Sequence, residues 1–503
     1  MISSLRADLD AARYRVDRLD GLWGQAAEAA LQRGNRVPAS RALAASDDPA
    51  ARLARAFVLG ETLPAAELAA ALPRLGLAGA ERLGLVALEG DRARPLLDLR
   101  PYAFVDPHGA GEWWIASDLG ELATGAPLRV DHVLGVGGAS TTLAALQFPD
   151  PVGSVLDLGT GCGIQALHAR RFAERVVATD ISERALALAR LNAELNGVDG
   201  IEFRLGSLYE PVAHERFDRI VSNPPFVITP RVPGVPEYEY RDGGREGDAL
   251  VAEVVAGAAA HLTPGGTAQL LGNWEYRWNA DGLERAADWA ADAGLEVWVI
   301  ERDRLDPARY AETWIRDGGT RPGTPDFERL CGAWLDDFVR RGVTEVGFGY
   351  LVLRAPDAAS AAPHTPRFRR AERASAPLDG VTGIGAHLSA ALAARDGIAG
   401  LDDEALLATR LQVAGDVTEE RSHWPGEEDP SVIVLRQGGG LRRELRADPA
   451  LAAVVGACDG ELPLGVIVDA VAELLGADVA PLRAATAAEA RELVVDGVLA
   501  PVL

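Results

Sequence analysis

Val155-Leu156-Asp157-Leu158-Gly159-Thr160-Gly161-Cys162-Gly163-Ile164 joins an apolar run to three glycines at alternate positions. The run ends near Leu158 and a helix begins near Ile164, so this is a strand–loop–helix junction. Glycines let such a loop take positive φ and approach a ligand closely. The first-turn amide hydrogens of the following helix are free to point into the same space. A dinucleotide fingerprint reads G-x-G-x-x-G and cradles a pyrophosphate. Gly159-Thr160-Gly161-Cys162-Gly163 is instead G-x-G-x-G, a form that suits a nucleoside carrying an amino-acid tail and no phosphate. An ordinary tight turn is the plainer alternative.

The chain around this junction alternates strand and helix patterns. Strands are predicted at 155–158, 175–179, 201–205, 218–222, 267–271, 295–300 and 346–354, with helices at 183–196, 247–262 and 281–293 among the intervening segments. The expected fold is therefore α/β, with a seven-stranded, mostly parallel, Rossmann-like sheet. Asp180, in Ala178-Thr179-Asp180-Ile181-Ser182, follows the second strand about 20 residues past the glycine loop. An acid there accepts both hydroxyl protons of a ribose. The competing reading is a helix cap, for which Ser182 is the rival.

The second informative stretch is Ser222-Asn223-Pro224-Pro225-Phe226, at the end of the fourth strand. Two prolines stiffen the loop and fix its carbonyl directions. An amide or aniline-type nitrogen is a poor nucleophile, because its lone pair is delocalised. Two acceptors, the Asn223 side-chain oxygen and the Pro224 carbonyl, can hold both N–H bonds and turn the lone pair outward. Phe226 can stack on the planar group. Such catalysis needs orientation and matched polarity, without a strong base. A rigid structural turn is the bland alternative.

In this order and separation, the two stretches resemble class I S-adenosylmethionine-dependent methyltransferases, and most closely the "small" group that methylates glutamine amides or exocyclic amines of bases. The resemblance covers roughly residues 130 to 355. It implies S-adenosylmethionine as cofactor. Asp157, Gly159, Thr160, Gly161 and Gly163 would face its methionine portion, Asp180 its ribose and Ile181 its adenine, with Asn223 beside it. Relatives commonly carry Asp where Ser207 stands to accept from the adenine amine, and Ser207 offers an uncharged acceptor instead. Asn223, Pro224, Pro225 and Phe226 would form the catalytic loop. The resemblance also places a loop equivalent to 132–143 beside the cofactor and makes the last strand antiparallel. The family joins its last two strands by a short turn, whereas about 40 residues intervene here, 304–345, including Tyr310, Trp314, Trp334 and Phe338. An insertion of that length should hold helices of its own and pack on the domain.

With 503 residues the chain exceeds one hydrophobic core. Residues 1–100 read as helices followed by a hairpin, a winged-helix-like pattern; 101–355 as the methyltransferase domain; 356–376, rich in Ala, Pro and Arg, as a linker; and 377–503 as a second winged-helix-like domain. Hydrophobic residues make up 48% and charged residues 25%, ordinary for a globular protein. No apolar run is long enough to span a bilayer, and no signal peptide or membrane attachment is expected. Cys162, Cys331 and Cys458 are far apart, and His108, His132 and His168 lack partners at ligand spacing, so no metal is expected. A reduced, cytoplasmic enzyme is the reading.

Net charge is −24, which disfavours a broad nucleic-acid-binding face but not the capture of one flipped base. Glu237 to Asp248, directly after the catalytic loop, is charged and glycine-rich. It is either a lid, with Arg241 or Arg245 meeting a phosphate or an acid, or a solvated loop. Trp274, Tyr276 and Trp278 follow the fifth strand, where they either pack in the core or border the substrate mouth. The favoured function is N-methylation of a planar NH2 group, most of all a protein glutamine in a translation factor or ribosomal protein. The alternatives are an adenine or guanine amine in RNA or DNA, a silent methyltransferase-fold scaffold, and a nucleotide-dependent oxidoreductase.

Overall fold

Eight strands form the main sheet of the computed structural model, which describes residues 1–125, 128–238, 240–357, 367–378 and 383–502. They are β1 (Val152–Leu158), β2 (Ala173–Asp180), β3 (Ile201–Leu205), β4 (Phe217–Ser222), β5 (Leu262–Arg277), β6 (Glu296–Leu305), β7 (Val343–Arg354) and β8 (Arg369–Arg373). Their order across the sheet is β3-β2-β1-β4-β5-β7-β6-β8. The first five pair parallel, and β7 runs antiparallel to both β5 and β6. The fold is α/β and Rossmann-like. Parallel neighbours need crossovers, and helices α1 (Ile164–Ala169), α2 (Glu183–Asn196), α3 (Ala249–His261) and α4 (Gly282–Asp292) lie in the connections. Central strands are buried on both faces, which explains their unbroken apolar runs: Val155, Leu156, Ile220 and Val221 are all fully buried.

From β1 the chain builds β2 and β3 on one side, then returns to place β4 on the other. That reversal opens a crevice above the carboxyl ends of β1 and β4, where ligands of such sheets bind.

The count of seven strands needs correction. The eighth, β8, lies inside the segment read as a linker, of which 358–366 fall outside the described residues. Composition suggested a linker, but Arg369 pairs with Glu284 and Asp288, each at 2.8 Å, and the Arg370 guanidinium lies over the Trp298 ring. The Phe368 carbonyl accepts from Val297 N–H at 2.9 Å, fixing the segment to β6.

The insertion does hold helices, α5 (Pro307–Asp317) and α6 (Pro325–Arg341). Asp306 and Thr324 cap them, each followed by a proline in the first turn.

Residues 1–96 contain seven helices and a three-stranded sheet with the expected hairpin, Val86–Glu89 against Arg92–Pro95. A second hairpin, Leu97–Asp106 against Gly109–Asp118, spans residue 100, where the sequence suggested a boundary. Its second strand is fastened to α2 by side chains standing in for a strand partner. Asn192 exchanges hydrogen bonds with the backbone of Ala116 at 2.7 and 2.9 Å, and Asn196 does the same with Trp114 at 2.9 and 2.8 Å. One apolar core runs from Leu5 and Leu53 through Trp113 and Ile115 to Ile164 and Leu188. Met1–Ala144, Pro151–Pro356 and Phe368–Ala371 accordingly form one compact unit.

The other unit centres on the chain from Glu372 onward. Two three-stranded sheets flank a helical core there; the strand expected at 431–436 is the middle strand, Val432–Gln437, of one of them. No helix among the described residues is long and apolar enough to cross a membrane.

Candidate active site

Leu158 is registered with Thr179 on one side and with Ser222 on the other. Gly159, Asp180 and Asn223 therefore leave three adjacent strands side by side. The buried Ser222 hydroxyl donates to the Leu158 carbonyl at 2.7 Å and locks the two central ends together.

The glycine loop is built by backbone. Gly159 N–H and Thr160 N–H both donate to the Thr179 carbonyl at 2.9 Å. Gly159, Gly161 and Gly163 have φ of 75°, 56° and 88°, the left-handed region that favours glycine. A Cβ added at Gly159 or Gly161 would meet nothing within 4 Å, whereas one at Gly163 would strike the Ala189 Cβ at 2.9 Å. The first two glycines thus border open space of the kind a ligand needs, and the third is required by packing against α2. Asn192 also holds this loop, donating to the Cys162 carbonyl at 2.8 Å. That contact escaped sequence reading; its only signal was a pair of asparagines four apart in a helix.

Asp157 is buried beneath the loop and accepts from the Thr160 hydroxyl at 2.5 Å. Burial pushes its carboxyl up to about 7, against the lowering effect of the Thr160 bond. Asp180 accepts from Gly161 N–H with one oxygen and from Ser182 N–H with the other, both at 2.9 Å. Its carboxyl is raised by burial and lowered by those amides. Ser182 is the residue that caps α2, through Ala185 N–H, so the rival reading of Asp180 as cap does not hold. Ile181 is 58% exposed beside it. Gly206 N–H donates to the Asp180 carbonyl at 3.0 Å, which brings the exposed Ser207 alongside.

Across the crevice, Asn223 is half-buried. Its Oδ1 is shielded from solvent and has no hydrogen-bond partner among the described residues. A buried acceptor left unmatched costs about 1–3 kcal/mol, so it marks a place made for a donor. Pro224 is buried and Pro225 half-buried. Phe226 pairs with Asp242 in an isolated bridge, and its ring meets Trp314 of α5 edge-on at 6.2 Å.

The segment after loop 223–226 is anchored at Arg241, which is neither solvated nor set toward a phosphate but meets an acid of the chain itself. Arg241 is buried; it donates to the Trp314 carbonyl at 2.8 Å and to Asp317 at 2.9 Å, and lies over the Tyr238 ring. The inserted helix supplies the acceptors that make its burial tolerable. Arg245 is exposed and pairs with Glu253 at 3.0 Å; Glu239 lies outside the described residues. Trp274 and Tyr276 are buried and donate to Glu301 at 2.9 and 2.6 Å, while Trp278 is 85% exposed.

The histidines stand apart from one another. His168 is enclosed by Tyr102, Phe104 and Trp113, where burial holds its imidazole down at about 4. His132 packs on Tyr240, and His108 is exposed beside Phe172.

The family model of the methyltransferase small domain matches residues 137–285, which contain both loops. A release factor glutamine methyltransferase of Xylella fastidiosa is 35% identical over 280 residues, 49% of this chain and 98% of the relative. The chain belongs to the family of small-domain methyltransferases. A release factor glutamine methyltransferase of Geobacter sulfurreducens is 40% identical over 131 residues, 24% of this methyltransferase and 46% of the relative. A ribosomal protein uL3 glutamine methyltransferase of Bradyrhizobium diazoefficiens is 35% identical over 140 residues, covering 26% and 44%. Two further family models, both described as domains of unknown function, match residues 11–96 and 397–501. The inserted helices α5 and α6 of this methyltransferase lie beyond the small-domain match.

Proposed function

We propose that this enzyme methylates the side-chain amide nitrogen of a glutamine in a protein of the translation machinery, with S-adenosylmethionine as methyl donor. The observation that carries the proposal is the unmatched, shielded Asn223 Oδ1 at the end of β4, beside a glycine loop with room for a ligand. The names of the relatives support a glutamine over a base amine.

When bound, the cofactor supplies a methyl group activated on a sulfonium. In this proposal Asp157, Gly159, Thr160, Gly161 and Gly163 receive its amino-acid portion, Asp180 accepts from its ribose hydroxyls, and Ile181 and Ser207 border its adenine. The amides that already bind Asp180 orient its carboxylate. Asn223 Oδ1 and the Pro224 carbonyl accept the two N–H bonds of the substrate carboxamide. Held so, the nitrogen lone pair turns out of conjugation and faces the glycine loop. Pro224 and Pro225 keep the two acceptors from relaxing. The proton leaves after transfer, so no strong base is required beside Asn223, and the chemistry rests on orientation. Such acceptors are met in the cytoplasm, which is where the enzyme is proposed to act.

The test is incubation of the enzyme with tritiated S-adenosylmethionine and cell extract, followed by separate protease and nuclease digestion. Label released by protease and retained through nuclease is expected. Label that survives protease and is lost to nuclease would replace the glutamine with a base amine.

A further inference from the structure

The insertion between β6 and β7 is where this chain departs from the short turn expected of its family. Tyr310, Trp314 and Asp317 recur at i, i+4 and i+7 of α5 and so share one face. Fully buried, Tyr310 uses its Oη to accept from Ile228 N–H at 3.0 Å and from Asn273 Nδ2 at 2.8 Å. Asn273 lies on β5, three residues past Leu270, the position registered with Ser222. Trp314 meets the Phe226 ring, and its carbonyl shares Arg241 with the Asp317 carboxylate. The Arg241 carbonyl in turn accepts from Val227 N–H at 2.9 Å. One face of α5 thereby governs two consecutive amides of the catalytic loop, Ile228 directly and Val227 through Arg241.

The amides matter because Pro224 and Pro225 have no N–H to give. The stiff corner cannot be anchored by its own backbone donors, and its orientation must be set just downstream. We infer that α5 is a positioning element for the acceptor loop, and that Tyr310 is the residue through which it acts on Asn223. A reaction that rests on orientation is sensitive to such an anchor, since a misplacement of about 1 Å can cost on the order of 100-fold in rate. The inference rests on the methyltransferase reading above but not on the identity of the acceptor.

Tyr310→Phe tests it, because the ring stays and only the hydroxyl is lost. Turnover and KM are measured with tritiated S-adenosylmethionine on whichever extract fraction, protein or RNA, takes label from the wild type. S-adenosylhomocysteine affinity and amide exchange over residues 223–230 are measured alongside. The expected result is a fall in kcat of about tenfold or more, inhibitor affinity within about twofold of wild type, and faster exchange at Ile228. Unchanged kcat despite faster exchange would overturn the inference, as would an equal loss of kcat and inhibitor affinity, which marks general damage. Should Tyr310→Phe not fold, Asp317→Asn, which weakens only the hold on Arg241, must lower kcat with inhibitor affinity intact; wild-type kcat there is equally fatal. Failure of the glutamine assignment would show separately, as wild-type label in RNA.

Discussion

The loops that leave β1 and β4 lie side by side and are held by opposite means. Loop 159–163 is a backbone construction. Its amides bind the Thr179 carbonyl and Asp180 of the next strand and its glycines supply the φ values, with one side-chain contact from α2, Asn192 to the Cys162 carbonyl. Loop 223–228 has a proline corner without donors and is fixed from outside itself: the Tyr310 hydroxyl, which Asn273 also holds, takes Ile228 N–H, and the carbonyl of Arg241, whose side chain is bound by α5, takes Val227 N–H. The first arrangement is mostly local, so a short motif carries most of it. The second lets an insertion set the orientation of loop 223–228 without contacting loop 159–163; on the proposed function these are the acceptor and cofactor sides.

If the halves are separable, their variants should fail differently. Asn223→Ala removes the unmatched acceptor and should reduce turnover by about 100- to 1,000-fold, the scale for a lost transition-state partner, with S-adenosylhomocysteine affinity by calorimetry unchanged. A parallel loss of affinity would merge the two halves. Asp180→Ala should do the reverse, weakening the inhibitor by roughly 1.5–3 kcal/mol, the range for hydrogen bonds to a charged group. Full affinity in that variant would take Asp180 out of the site.

The smallest effect concerns the acid beneath the glycine loop. Burial lifts Asp157 from an ordinary value of 3.8 to about 7. The folded protein then holds this proton across a range in which the unfolded chain has released it. The associated stability is complete below the unfolded value and is lost as pH rises through about 7. Asp157→Asn, neutral throughout, should therefore lack this contribution to the decline of Tm between about pH 4 and pH 7. Identical slopes in the two proteins would mean that Asp157 is not protonated in the folded state.

What could be read along the chain follows the same division. Gly159, Gly161, Asp180 and Asn223 stand at strand ends, and their meaning lies in neighbours a few residues away. Arg241 could be read as a cation seeking a phosphate or an acid, or as solvated, because no nearby residue announces its partners. Arg369 and Arg370 looked like linker because composition cannot show that Glu284, Asp288 and Trp298 await them. Tyr310 looked like one more aromatic in an insertion, and the amide it binds is 82 residues away.

The sequence alone determined the strand–helix alternation, the glycine loop and the proline corner, because backbone freedom, apolar periodicity and proline stiffness are local properties. Only the tertiary structure decided that a late helical insertion grips an early loop, that a linker-like segment adds a strand, and that the hairpin over residue 100 joins the N-terminal helices to α2. Those outcomes depend on which buried donors find acceptors across the folded chain, and that matching exists only once the chain has closed on itself.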